Sequence, residues 1–486
     1  MKKTVITAQL CLGLCVSVCS FSDVTTPQSY GNTESTEGTK QSYRPNVLLI
    51  GIEVIRADHV SRLGYFRNTT PTLDKLAHEG VIFSRAIATS SWTLPTNMSV
   101  FTSLYPSVHK VTDNKRTLPK RITTLAQVLK KNGYLTAAFV TSPVLDGGNG
   151  FSRGFDLYDD FSAKLDLAVG LLGNEATNQD MFTGARTCEV LNRTATAWLQ
   201  KNHKKPFFMF LFYFDSHYPY TPPPPFDTTF DPDYVGPIEP ATLPGNQRKM
   251  PRPAPRDLEH LIALYDGGIQ YTDEYISKLL DALRKYGILD NTLVIVFADH
   301  GEAFYEHDKV GHGEMLYNEV IHIPLILRWP HAIPPSRQID ALVSQVDIMP
   351  TVLDYLNVEH DGFMQGRSLK ALIEGHKAEI HDAVFAELSA RKEDSYCAVV
   401  SGGRKFILDL STGRKELFDL TSDPEEQVNL YKEQSLSSPM LLESKLTRWR
   451  VRNDRLFNIL SGSETLPQVE LDEDKLRQLR GLGYIQ

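Results

Sequence analysis

The stretch 292-TLVIVFADHGE-302 decides the reading of this chain. Its uncharged, β-branched and aromatic run from Thr292 to Phe297 suits a strand covered on both faces, and it ends in a carboxylate and an imidazole, Asp299-His300. Two other runs have the same form. Asn46–Ile52 leads into Glu53, and Pro206–Phe214 leads into Asp215 and His217. Leu135–Val140 and Pro324–Arg328 complete the set of buried runs. Between them lie helix-period segments, with Leu125, Val128 and Leu129 before Gly133, and Ile276, Leu279, Leu280 and Leu283 before Gly287, each glycine placed to cap a helix. Short apolar strands alternating with amphipathic helices predict an α/β domain on a parallel sheet. In such sheets ligands bind beyond the carboxyl ends of the strands, so three of these ends are expected to converge on one site. Glu, Asp and His together suit a divalent metal ion, with the histidine nitrogens favouring zinc or manganese and calcium left open.

Composition narrows the class. The chain has 486 residues, 41% hydrophobic and 23% charged, enough to bury a large core. A net charge of −8 gives no global pull toward nucleic acid or an anionic membrane surface. Lys2-Lys3, the apolar run Val5 to Cys19 and the polar sequence that follows have the order of a signal peptide (1–20) and a tether (21–44), which predicts an exported protein. Cleavage is expected near Ser20; lipid attachment at Cys19, anchoring the N-terminus to a membrane, and an uncleaved anchor are the alternatives. Cys188 and Cys397 read either as a pair or as two buried thiols.

The catalytic domain is expected over 45–376, with the proline-dense stretch from Tyr220 to Arg256 as a long surface excursion. From 377 to 486 the rhythm changes to closely spaced strands at Ala383–Glu387, Tyr396–Ser401, Lys405–Leu410 and Glu416–Leu420, a small antiparallel sheet followed by a charged helical tail.

The segments 46-NVLLIGIEVIRADHVSRLGYFRNTTPTLDKLAHEGVIF-83, 91-SWTLPTNMSVFTSLYP-106, 207-FFMFLFYFDSHYPYTPP-223, 290-DNTLVIVFADHGEAFYEHDKVGHGEMLYNEVIHIPLILR-328 and 411-STGRKELFDLTSDPEEQVNL-430 resemble, in order, the bacterial sulfatases of the alkaline phosphatase superfamily. The ending 476-LRQLRGLGYIQ-486 is similar as well. The resemblance implies an alkaline-phosphatase-like α/β sandwich with a central, mostly parallel sheet and a small C-terminal antiparallel sheet with a helix. It also shows a departure. Sulfatases carry Cys or Ser, converted to formylglycine, at the start of C/S-x-P-S/A-R, where this chain has Thr93-Leu94-Pro95-Thr96-Asn97; Glu53-Val54 stands where Asp-Asp or Asp-Thr is usual. Glu53, Thr93, Asp299 and His300 are instead the residue types of the related phosphoethanolamine transferases and lipoteichoic acid synthases, which hold zinc or manganese with Glu, Thr, Asp and His and use the Thr as nucleophile.

The resemblance therefore implies Glu53, Thr93, Asp299 and His300 as metal ligands, with Thr93 attacking phosphorus and His217 and His312 contacting the transferred group. Chemically the set is coherent, since a cation stabilises the alkoxide of an otherwise weak hydroxyl nucleophile. Arg56 reads as a brace rather than a substrate contact. His307 and Lys309 are weaker candidates within the loop Glu302–Gly313, which reads as solvated, and His109 has no assigned role. Three functions follow: a metal-dependent phosphotransferase or phosphodiesterase using Thr93, a sulfuric ester hydrolase of unusual mechanism, and a non-catalytic sulfatase-like binding protein. The expected partner is a small-molecule, lipid or glycan ester and not nucleic acid.

Overall fold

The computed structural model describes residues 44–160, 187–239, 243–244, 246–389, 395–432, 438–462, 468–469 and 476. The expected signal peptide, nearly all of the tether and Cys19 lie outside the described residues.

Nine strands form the central sheet: β1 (Asn46–Ile52), β2 (Val81–Ile87), β3 (Leu135–Val140), β4 (Leu157–Asp159), β5 (Phe207–Tyr213), β6 (Thr292–Ala298), β9 (His322–Arg328), β10 (Arg337–Ile339) and β11 (Val343–Ser344). Their order is β10-β2-β9-β6-β1-β5-β3-β4, with β11 also on β2. All pairings are parallel except those of β9, which runs antiparallel to β2 and β6. The strands β1, β5 and β6 have every residue buried, which explains their unbroken apolar sequence. Gly51 is required between them: a Cβ there would lie 2.6 Å from the Phe212 ring.

Helices flank the sheet, the longer ones being α1 (Pro71–His78), α2 (Thr93–Thr102), α3 (Leu125–Lys131), α4 (Thr187–Asn202), α5 (Pro255–Lys285), α6 (Ile348–Tyr355) and α7 (Ser438–Ser461). Gly133 and Gly287, at φ +81° and +67°, follow α3 and α5 as the helix-end reading expects. Four residues separate the end of β6 from a two-stranded ribbon made by the short strands β7 (Ala303–Phe304) and β8 (Val310–Gly311). A separate antiparallel sheet contains β12 (Val384–Leu388), β13 (Tyr396–Ser401), β14 (Arg404–Asp409) and β15 (Lys415–Asp419), and α7 packs its Leu442, Leu446 and Trp449 against the apolar face of this sheet. Cys188 and Cys397 are both free and buried. Among the described residues no helix is long and apolar enough to cross a membrane.

Candidate active site

The parallel ladder runs one residue beyond the strands and sets the site. Glu53 N–H donates to Tyr213 O at 2.9 Å, and Asp299 N–H donates to Ile52 O at 3.2 Å. Glu53 and Asp299 therefore leave neighbouring strands side by side. Thr93 arrives from a different direction, as the first residue of α2, and its Oγ1 donates to Glu53 Oε1 while lying 3.1 Å from His300 Nε2. Glu53, Thr93, Asp299 and His300 have no exposed surface. One donor atom each of Glu53, Asp299 and His300 lies within 4.8 Å of the others.

Three details fit this cluster to a cation. Glu53 Oε2 and Asp299 Oδ2 are buried with no hydrogen-bond partner, a costly state that a divalent ion would relieve. His300 Nδ1 faces Gly301 O at 2.8 Å; a carbonyl only accepts, so Nδ1 carries the proton and Nε2 turns its lone pair toward the carboxylates. Burial, followed by the nearby Asp299, pushes the Glu53 carboxyl well above the usual carboxylate range, and burial pushes Asp299 up as well against the opposing effect of His300, so two buried acids are held side by side.

The backbone around the cluster is fixed on several sides. Asp299 Oδ1 accepts from Val54 N–H at 3.1 Å and from His300 N–H at 2.8 Å. Val54 holds φ +55°, unfavourable for a β-branched residue, and its carbonyl accepts from Tyr265 Oη at 2.7 Å. At Gly301 a Cβ would stand 2.1 Å from Glu319 O, so the turn after His300 excludes any side chain.

His217 and His312 complete a histidine group. Their ring centroids are 5.2 Å apart, and His312 is 4.4 Å from His300. His217 Nδ1 donates to Tyr218 O at 2.7 Å. Burial, then the neighbouring His312, pushes the His217 ring down to about 3, and burial, then His300, holds His312 well below the usual range. Both shifts favour the neutral ring.

Not every strand-end residue joins. Asp215 turns away from Glu53 and accepts from the backbone N–H of Thr187 at 3.1 Å and from its hydroxyl, capping α4 instead. His109 is buried beneath α2, where its Nε2 lies 3.2 Å from both Ser99 Oγ and Pro95 O. Arg56 ties Asp58 to Glu306 and donates to Glu302 O at 3.1 Å, a brace on the loop after His300. The loop Glu302–Gly313 is not solvated as expected: most of it is buried in the β7/β8 ribbon.

The Sulfatase family profile matches residues 45–358. The chain belongs to the sulfatase family. A further profile, N-sulphoglucosamine sulphohydrolase C-terminal, matches residues 306–452. The uncharacterized sulfatase YidJ of Escherichia coli is 26% identical over 80% of this chain and 83% of its own length. A Delta 4,5-hexuronate-2-O-sulfatase of Bacteroides thetaiotaomicron is 24% identical over 83% of this chain and 89% of its own. Among solved structures, the phosphonate monoester hydrolase of Agrobacterium radiobacter superposes with a TM-score of 0.70 at 22% identity, covering 84% of this chain and 96% of that one. The fold is thus that of the alkaline-phosphatase-like sulfatases, and the family is one of hydrolases that use divalent metal ions.

Within this sulfatase frame the structure adds residues that sequence reading passed over. Glu302, with no exposed surface, lies 3.0 Å from His312 Nδ1 through Oε1 and accepts from Tyr220 Oη at 2.9 Å through Oε2; Gln247 Nε2 in turn donates to Tyr220 Oη at 2.6 Å. Ser142, just past β3, stands close enough to the Glu53 carboxyl to lower its pKa, yet its buried hydroxyl does not reach hydrogen-bond geometry. Glu302 had a signal in Asp299-His300-Gly301-Glu302. Ser142, Tyr220 and Gln247 had none.

Proposed function

We propose that this sulfatase-family protein is a metal-dependent hydrolase or transferase of phosphate esters, with Thr93 as nucleophile and Glu53, Thr93, Asp299 and His300 as ligands of a divalent cation, zinc or manganese before calcium. The observation that carries it is the seat of the Thr93 hydroxyl, buried against Glu53 and 3.1 Å from His300 Nε2. A cation bound there would supply the positive charge that keeps a threonine alkoxide populated near neutral pH. In that site Thr93 would give up its proton to solvent, leaving Glu53 charged as a ligand, and the Thr93 oxygen attacks phosphorus in line. The bond from phosphorus to the ester oxygen breaks, its electron pair leaves with that oxygen, and the phosphoryl group stays on Thr93. The N-terminus of α2, which no side chain caps, faces the charge that develops.

His217 and His312 are the residues to meet the non-bridging oxygens and to protonate the leaving oxygen. Each takes up a proton as the anion enters, because nearby negative charge offsets the burial that keeps it neutral. Water, or the hydroxyl of an acceptor in transfer, then displaces the phosphoryl group from Thr93.

The test is chemical trapping. The zinc-loaded protein is quenched during turnover of a phosphodiester and digested, and phosphate is sought on Thr93 by mass spectrometry. An unmodified threonine during active turnover overturns the mechanism. A second reading, sulfate ester hydrolysis, is supported by relatives whose names are sulfatases, one acting on a hexuronate 2-O-sulfate. Sulfate release that survives Thr93→Ala supports it and excludes the threonine. The partnerless oxygens of Glu53 and Asp299 count against a purely binding role. The substrate class is a small-molecule, lipid or glycan ester, met by an exported protein.

A further inference from the structure

Glu302 and His312 sit at the base of the β7/β8 ribbon, and that ribbon is small. Ala303 pairs with Gly311 and Phe304 with Val310, and Tyr305 N–H donates to Lys309 O at 2.9 Å. A lone two-stranded hairpin is marginal in water, so its geometry depends on what holds it from outside. Arg56 holds one flank through Glu306.

The tip is held by Tyr317, by Glu319 and by the loop that follows the C-terminal sheet. His307 lies flat on Tyr317, with ring centroids 3.7 Å apart and planes within 6°. Its Nδ1 is 2.7 Å from Glu319 Oε1 and its Nε2 is 3.1 Å from Glu426 O. Glu426 follows β15 and holds φ +58°, a left-handed conformation that a residue with a Cβ keeps only when its surroundings impose it. They do: Asn318 N–H donates to Glu426 Oε2 at 2.6 Å, and Lys405 Nζ of β14 lies 2.7 Å from Glu426 Oε1 and donates to Asn318 Oδ1 at 3.0 Å. The side chains of Lys405 and Glu426 have no exposed surface. A buried ion pair is a poor source of stability compared with an apolar pair of the same volume; what this one specifies is geometry. A cavity of about 400 Å³, lined in part by Arg56, Glu306, Asn318, Glu319, Val400 and Leu420, adjoins these contacts.

We propose that Lys405 and Glu426 are positioning residues of the active site: acting through His307, they fix the ribbon tip and thereby the placement of Glu302 and His312 at its base. The consequence for catalysis rests on the reading of His312 given above. The anchoring of the ribbon does not.

The experiment uses the full chain, zinc-loaded, as wild type, Lys405→Met, Lys405→Arg and Glu426→Gln, at a temperature where circular dichroism shows each folded. Turnover of a nitrophenyl phosphodiester and a nitrophenyl sulfate, zinc content, and hydrogen exchange over residues 303–312 are measured. For Lys405→Met the expected result is a kcat lower by about 10–100-fold with KM changed less than about threefold, the cost of losing a supporting contact. Zinc content stays unchanged, exchange in the ribbon quickens while β1 and β6 stay protected, and Lys405→Arg recovers most of the rate. Unchanged ribbon exchange in both Lys405→Met and Glu426→Gln overturns the anchoring. Faster exchange with unaltered kcat overturns its role in catalysis. Should the wild type turn over neither ester, the catalytic reading fails, while the exchange measurement still decides the anchoring.

Discussion

Thr93→Val replaces one hydroxyl by one methyl at a position with no exposed surface, so α2 keeps its start while two polar contacts vanish. Glu53 Oε1 loses its donor, and His300 Nε2 loses the hydroxyl 3.1 Å away. The one proton of the Thr93 hydroxyl goes to Glu53 Oε1, so one hydrogen bond is lost, and a buried polar atom left without a partner costs the metal-free protein about 1–3 kcal/mol. In the zinc-loaded protein a cation held by Glu53 and His300 would offset part of that cost, and the loss is expected to be smaller. Calorimetric melting with and without EDTA measures that difference, and phosphoester release measured alongside is expected to fall by more than ~10³-fold. Thr93→Ser, which keeps a hydroxyl, retains part of the rate. Turnover by Thr93→Val within about tenfold of wild type would refute a hydroxyl nucleophile. An equal loss of stability with and without zinc would instead show that no cation engages Glu53 and His300.

Other outcomes follow from the same geometry. Asp299→Asn keeps an oxygen to accept from Val54 and His300 but loses the charge; zinc affinity, measured by chelator competition, is expected to fall by at least about 100-fold, beyond what a lost supporting contact costs. His312→Ala is expected to lower turnover with zinc content retained, and loss of zinc in that variant would make His312 a ligand. His307 faces an acceptor at each ring nitrogen, which favours the doubly protonated ring; despite the opposing effect of burial, the Glu319 carboxylate holds its pKa above the ordinary value. Because the folded state binds this proton more tightly than the unfolded chain, its stabilisation is complete below about pH 6.5 and is lost as pH rises through the raised folded value. The melting temperature of the wild type should therefore fall toward that of His307→Gln across that window; a constant gap between the two overturns the linkage.

Much of the architecture is legible because burial on both faces leaves a direct mark on composition. β1, β3 and β13 have the bounds that their apolar runs predict, and β5, β6 and β9 differ by one or two residues at their ends. β2 escaped notice because Ser84 and Arg85 interrupt its apolar run, at the place where its register with β9 shifts. The direction of β9 leaves no such mark: a fully buried strand has the same composition whichever way it runs. Glu53, Asp299 and His300 were legible as a group because each follows a buried run, whereas Asp215 follows one too and is used to cap α4.

Residues 46–53 and 292–300 by themselves determined that a sheet would form and that acids would stand at its carboxyl end, since period and hydrophobicity are local properties of the chain. Tertiary structure alone decided which of those groups meet. Thr93 reaches Glu53 across 40 residues and His300 across 207, and Glu426 reaches His307 across 119. Such contacts depend on how helices and loops pack around the strands, and the residue types at their two ends leave that packing unspecified.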